Sequence, residues 1–300
     1  MSPPMEKSRG GIWLEATRPK TLPAAVAPVL IGSALAWHDR AFDGMAASLC
    51  LIFAVLIQIG TNFANDYFDF VKGADTAERV GPRRAVAAGL ISPPVMFRAM
   101  FAILAVAFAV GLCLVAWGGP WLILIGVVSV VCAIAYTGGP YPLGYNGLGD
   151  VFVLVFFGPV AVGATYFVQT GSWGLTQLIW ALAPGLLAAN ILVANNYRDV
   201  ETDRAAGKRT TVVRFGLGFA RIQFKASLGV SLLIPLVFSW HWREAWLLLP
   251  GVLALWAWRL SRRLDQKKSP AELILLLGDS ARFLALYALL CAAGLILARA

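Results

Sequence analysis

Long apolar runs recur along the whole of this 300-residue chain, and they restrict its fold more than any other feature. Nine candidate spans lie near 21–37, 45–64, 96–117, 120–136, 150–168, 175–196, 225–240, 244–260 and 281–298. A helix needs about 20 apolar residues to cross the roughly 30 Å hydrocarbon layer of a bilayer. No soluble core of this size needs nine such runs. Charged residues make up 14% of the chain, against about 25% in soluble domains. Lipid is therefore the expected solvent. The predicted fold is all-α, a single polytopic integral-membrane domain over 1–300 that opens with a polar segment at 1–20. Pro23 and Pro28 predict a kink or tilt in the first span. The polar start, with no clear small-residue cleavage site, argues against a cleaved leader.

The net charge of +9 has a topological explanation. Of 25 Lys and Arg residues, 22 fall in the N-terminal segment and in the connections after spans two, six and eight with their flanks. Only Arg40, Arg243 and Arg299 fall on the other side. The positive-inside rule places the N-terminus in the cytoplasm and the C-terminus outside. Trp37, Trp117, Trp121, Trp173, Trp240, Trp242 and Trp246 gather at the predicted outer ends, as an interfacial aromatic belt would. With the charge so explained, no nucleic-acid partner is expected. The two histidines, His38 and His241, lie in predicted outer loops, so no intramembrane pair can ligate haem. Cys50, Cys113, Cys132 and Cys291 lie in apolar runs without a CxxC pair and read as small core residues.

Acidic residues number 16, so their placement is informative. The second span runs into QIGTNFANDYFDFVKGAD. At about 100° per residue, Asn62, Asp66 and Asp69 share an arc of roughly 60°, with Asn65 beside it. The sixth span runs into NNYRDVETDRAAGK, where Asn195, Asp199 and Asp203 fall within roughly 80° on an ideal helix. Both sets, in 62–75 and 195–203, sit at cytoplasmic ends of even-numbered spans, four spans apart. That predicts a four-span internal repeat in parallel orientation that brings the two ends face to face. Clustered carboxylates at a membrane surface repel one another and are costly to desolvate. Divalent cations resolve both problems, and Mg²⁺ prefers carboxylate oxygens and shares its shell with phosphate. Lys72, Arg79 and Arg84 follow the first set; Lys208, Arg209 and Arg214 follow the second. Acids for metal and bases for oxygen anions together suit a diphosphate. The plainer alternative is a pair of helix ends protruding into water, with solvated acids and topogenic bases.

These residues resemble the UbiA superfamily of intramembrane aromatic prenyltransferases, and within it the branch that prenylates 1,4-dihydroxy-2-naphthoate for menaquinone. The resemblance rests on ATRPKTLPAAVAPVLIG, NDYFDFVKGADTAERVGPRRAVAAG, YTGGPYPLGYNGLGD and NNYRDVETDRAAGKRTTVVRFG, and spans most of the chain. Gly73 stands where the wider superfamily has a third Asp, with Asp75 two residues later; the naphthoate branch is similar there.

The resemblance implies nine helices in a horseshoe around a central cavity open to lipid, with Mg²⁺ and no organic cofactor. It implies that Asp66 and Asp69, with Asn62 or Asn65, hold one Mg²⁺, and that Asp199 and Asp203, with Asn195, hold a second. Lys72, Arg84 and Lys208, with Arg79, would neutralise the diphosphate of a polyprenyl donor. Its departure would leave an allylic cation for the naphthoate ring, which loses CO₂. Tyr136, Tyr141 and Tyr145 would shield the cation or contact the ring, or else serve as interfacial anchors. Asp150 would help bind or deprotonate the acceptor, or else cap a helix. The expected setting is the plasma (inner) membrane of a prokaryote, with the active site facing the cytoplasm. The alternatives are a related enzyme using 4-hydroxybenzoate or homogentisate, and a secondary transporter, which would carry its ionisable groups near the bilayer midplane.

Overall fold

The computed structural model describes residues 8–74, 81, 83–266 and 269–298. Among them every regular element is helical. In chain order the helices are α1 (Arg9–Ala16), α2 (Leu22–His38), α3 (Gly44–Val71), α4 (Pro93–Gly118), α5 (Trp121–Ala135), α6 (Gly149–Thr170), α7 (Leu175–Arg198), α8 (Val200–Ala205), α9 (Thr211–Trp242), α10 (Ala254–Asp265) and α11 (Pro270–Leu297).

Every predicted span falls on helical structure, but nine full spans are not reproduced. Seven segments among the described residues are long and apolar enough to cross a membrane, with α1 and α2 counted together. The fourth predicted run is α5, only 15 residues long. The eighth is a 3-10 stretch over Ala245–Leu253, interrupted by Pro250, that leads into the 12-residue α10. On α10, Ala257, Leu260 and Leu264 are buried while Arg259, Arg262 and Arg263 point outward. That pattern suits an amphipathic helix along an interface better than a crossing one.

Local chemistry sets the ends. Asp43 caps α3 by accepting from the backbone N–H groups of Met45 and Ala46, both at 2.9 Å. Ser269 and Glu272 cap α11 reciprocally, in a capping box followed by Pro270. Helix α6 opens into a π-turn at Phe156–Val160, where Gly158 leaves helical geometry and Pro159 follows. At that point α6 crosses α7 backbone to backbone. A Cβ on Gly158 would lie 2.7 Å from the Ala181 carbonyl oxygen, and one on Gly185 would lie 2.5 Å from that of Leu154. Small residues at helix crossings are what membrane packing favours.

Helix α7 is the centre of the bundle. Its Ala181, Ala183, Leu187, Ala188 and Trp180 pack in the largest core with α2, α9 and α11. A second core joins α3 and α4 through Phe63, Met96, Met100 and Leu104. Large apolar side chains such as Leu124, Ile222 and Leu275 are left facing outward, as lipid contact requires. Six of the seven belt tryptophans are exposed. Trp242 instead packs inward, stacked on His38 and tilted against Phe238.

Candidate active site

The polar tail of the second span is helical, and α3 continues to Val71, beyond the predicted end at 64. Asn62, Asp66 and Asp69 are buried on one face, at 2%, 2% and 3% exposure. Their partners differ. Asp66 accepts from the backbone N–H groups of Ala85 and Val86, at 3.0 and 3.2 Å, and so fixes the turn over residues 84–90. It does not border the central cavity, whereas Asp69 does. Asp69 accepts from the Tyr145 hydroxyl at 2.7 Å and from Arg84 Nη2 at 3.0 Å. Asn65 borders the cavity and accepts from the Thr137 hydroxyl at 2.9 Å. The Asn62 amide donates to the Thr17 carbonyl and the Thr21 hydroxyl, at 2.8 and 3.2 Å, tying down the turn that carries Arg18 and Lys20.

The second acidic set is not on one continuous helix, as the ideal-helix arc assumed. Helix α7 stops at Arg198, and Asp199, at φ −94° and ψ 10°, joins it to α8. Asn195, Asp199 and Asp203 still all border the cavity. The two helix ends do converge: Lys208 Nζ lies 3.6 Å from Asp69 Oδ1 and 3.7 Å from Asp203 Oδ1.

The bases divide. Arg84 and Lys208 border the cavity. Lys72 instead donates to the carbonyls of Thr137 and Gly139, at 2.8 and 3.3 Å. Burial holds its amine below the ordinary value, with Asp69 pulling it back up and Lys208 pushing it further down. Both lysines lie over the Tyr145 ring, 5.0 and 4.6 Å from its centroid. Tyr136 borders the cavity; Tyr141 does not and is 59% exposed. Asp150 is buried outside the cavity wall, in the first turn of α6, where it accepts from the Thr211 hydroxyl rather than capping its own helix. Arg79 and Asp75 lie outside the described residues.

Sequence reasoning left out several cavity residues: Glu15, Arg18, Lys20, Gln58 and Arg198. The positive-inside rule accounts for Arg18, Lys20 and Arg198 without any role in a site. Adjacency to Asp199 in NNYRD was the signal available for Arg198.

The cavity, of about 550 Å³, is bordered by α2, α3, α5, α6, α7 and α8, and also by Glu15 of α1, Leu114 of α4 and Leu277 of α11. Its charged groups gather at one end, where α7 finishes and α8 begins. The opposite end is lined by Val29, Cys50, Leu114, Leu122 and Val168, which belong to one apolar cluster. From Cys50 to Asp69 the wall of α3 rises about 28 Å, close to the hydrocarbon thickness.

The donors at the charged end fit a hard cation such as Mg²⁺. All are oxygens, from Asp69, Asp199, Asp203, Asn65 and Asn195. The described residues contain no ready-made cage of three or more carboxylate, His or Cys groups. Mg²⁺ does not require one, since it keeps several waters and takes phosphate oxygens.

Comparison with known proteins matches this fold. The model of the UbiA prenyltransferase family covers residues 25–286. The 1,4-dihydroxy-2-naphthoate octaprenyltransferase of Escherichia coli is 42% identical over 81% of this chain and 82% of its own length. That of Haemophilus influenzae is 40% identical over 81% and 82%. That of Mycobacterium tuberculosis is 38% identical over 94% and 96%. Among solved structures, a UbiA homologue from Archaeoglobus fulgidus superposes with a TM-score of 0.66 at 16% identity, over 95% of this chain and 99% of that one. The same homologue bound to GPP and Mg²⁺ gives 0.61, also at 16% identity, over 93% and 99%. The chain belongs to the UbiA prenyltransferase family.

Proposed function

We propose that this protein transfers a polyprenyl chain from an allylic polyprenyl diphosphate to 1,4-dihydroxy-2-naphthoate. CO₂ and diphosphate are lost, and the product is the prenylated naphthohydroquinone, demethylmenaquinol, which a separate two-electron oxidation converts to demethylmenaquinone. The observation that carries the reading is the convergence of Asp69, Asp203 and Lys208 at the head of a deep apolar cavity. The 38–42% identity to enzymes named for that acceptor supports the choice of ring.

The residues then have distinct tasks. Asp69, Asp199 and Asp203, with Asn65 and Asn195, would hold Mg²⁺, which when bound neutralises charge on the departing diphosphate. Arg84 and Lys208 supply fixed positive charge at the same end. Tyr145 orients Asp69 through its hydroxyl. The apolar walls keep water from the allylic cation, which would otherwise be quenched to an alcohol. Ring attack at the carboxylated carbon releases CO₂ and leaves the prenyl group in its place. The isoprenoid tail stays in the cavity or in lipid throughout. Under this reading the charged end faces the cytoplasm of a prokaryote, and the two acidic helix ends descend from a four-span repeat.

Purified protein incubated with dihydroxynaphthoate, a polyprenyl diphosphate and Mg²⁺ should yield the decarboxylated, prenylated naphthohydroquinone by mass spectrometry, or the quinone that air oxidation makes from it, and much less product with 4-hydroxybenzoate. Equal or greater transfer to 4-hydroxybenzoate would overturn the acceptor assignment. Activity undiminished by a chelator would overturn the Mg²⁺ requirement.

A further inference from the structure

Arg198, the last residue of α7, has an arrangement that topology does not require. Its side chain is 1% exposed and borders the charged end of the cavity. Nε donates to Asp199 Oδ1 at 2.7 Å and Nη2 to Asp199 Oδ2 at 2.5 Å, a two-point fork. Nη2 also donates to Asn195 Oδ1 at 2.8 Å. One guanidinium thus grips two of the three oxygen-bearing residues of the second acidic set. Nη1 is buried and has no acceptor among the described residues. A guanidinium carries five N–H donors and keeps its charge in any protein environment. The three bonds above use the Nε–Nη2 edge and leave both Nη1 donors over. Buried charged donors without acceptors are rare because they are costly.

We infer that Arg198 is a diphosphate-binding residue: its Nε–Nη2 edge holds Asp199 and Asn195 in place while Nη1 donates to a phosphate oxygen. Arg84 and Lys208 border the same end of the cavity, so the anion would meet three cations from three parts of the chain. A planar fork that serves a carboxylate on one edge and a phosphate from its remaining nitrogen is geometry an ammonium cannot copy. The inference deepens the prenyl-diphosphate reading and rests on it. The competing role is structural: an arginine that only pins the break between α7 and α8.

The test uses full-length protein, with Arg198→Lys and Arg198→Gln. Binding of inorganic pyrophosphate is measured by calorimetry, once with Mg²⁺ and once with chelator. Wild type should bind in both conditions, more tightly with Mg²⁺. Both variants should lose on the order of tenfold or more in each condition. Their KM for the prenyl diphosphate should rise by a similar factor while KM for the aromatic acceptor stays constant. Arg198→Lys keeps the charge and loses the fork, so its thermal midpoint is measured alongside to show that the variant is folded at the temperature of the binding assay. Wild-type pyrophosphate affinity in either variant overturns the inference. A loss seen only with Mg²⁺ also overturns it, because Arg198 would then act solely through Asp199. Failure of wild type itself to bind pyrophosphate would sink the diphosphate reading, and this inference with it.

Discussion

Asp66 and Asp69 lie three residues apart on one face of α3, yet their carboxylates have different surroundings. Both oxygens of Asp66 accept from backbone N–H groups of the turn at residues 85–86. Asp69 faces the cavity among Tyr145, Arg84 and Lys208. Helical periodicity could not separate them, because it gives direction and not partners. Asp69→Asn should lower kcat at least about 100-fold, as loss of a charge-stabilising group does, and should also lower the melting temperature, because it breaks the buried pair with Arg84. Asp66→Asn keeps one acceptor oxygen where two are needed. It should cost roughly 1–3 kcal/mol of stability, read as a lower thermal midpoint in detergent. A melting curve unchanged by Asp66→Asn would refute the anchoring role.

Helix ends and crossings decide where these side chains go. Asp199 can turn into the cavity with Asp203 because α7 ends at Arg198 and a new six-residue helix begins. No glycine or proline in NNYRDVETDR marks that break, and Asp199, a residue type suited to an N-cap, stands at the start of α8 without a side-chain cap bond. The Gly158–Gly185 crossing was likewise invisible in sequence, where each glycine is only a helix weakener. It sets the approach of α6 to α7, which together form one side of the cavity. Gly185→Leu drives a side chain into the Leu154 carbonyl. Overpacking of this kind costs about 1–3 kcal/mol, so the midpoint should fall and the yield of folded protein with it. Gly251→Leu, at an exposed position with open space around its Cα, should have little effect and serves as the control.

The cavity has one charged end and one apolar end, and Arg18, Lys20, Arg84, Arg198 and Lys208 all border the charged one. This polarity argues for a surface-held diphosphate and against a transporter, whose ionisable groups would sit at mid-depth. The proposed orientation is testable with a cysteine-free background. A cysteine at Gly207 should react with a membrane-impermeant maleimide only after permeabilisation. One at Gly171 should react in intact cells. The reverse pattern would invert the orientation. Both positions are exposed, with no atom close to a Cβ built there.

Sequence alone determined the solvent, the helical class, the approximate spans and the two acidic segments. Each of these follows from runs and spacings along the chain, since a helix in lipid must satisfy its own backbone and show its composition outward. The convergence of Asp69 with Asp203 on Lys208, the hydrogen bonds of Asp66, Lys72 and Asp150 to distant segments, and the fork of Arg198 on Asp199 and Asn195 were decided only by the tertiary structure. Hydrogen-bond partners are set by which groups meet across distant segments, here Asp69 with Tyr145, and Asp66 with Ala85 and Val86. Periodicity within one helix carries no information about them.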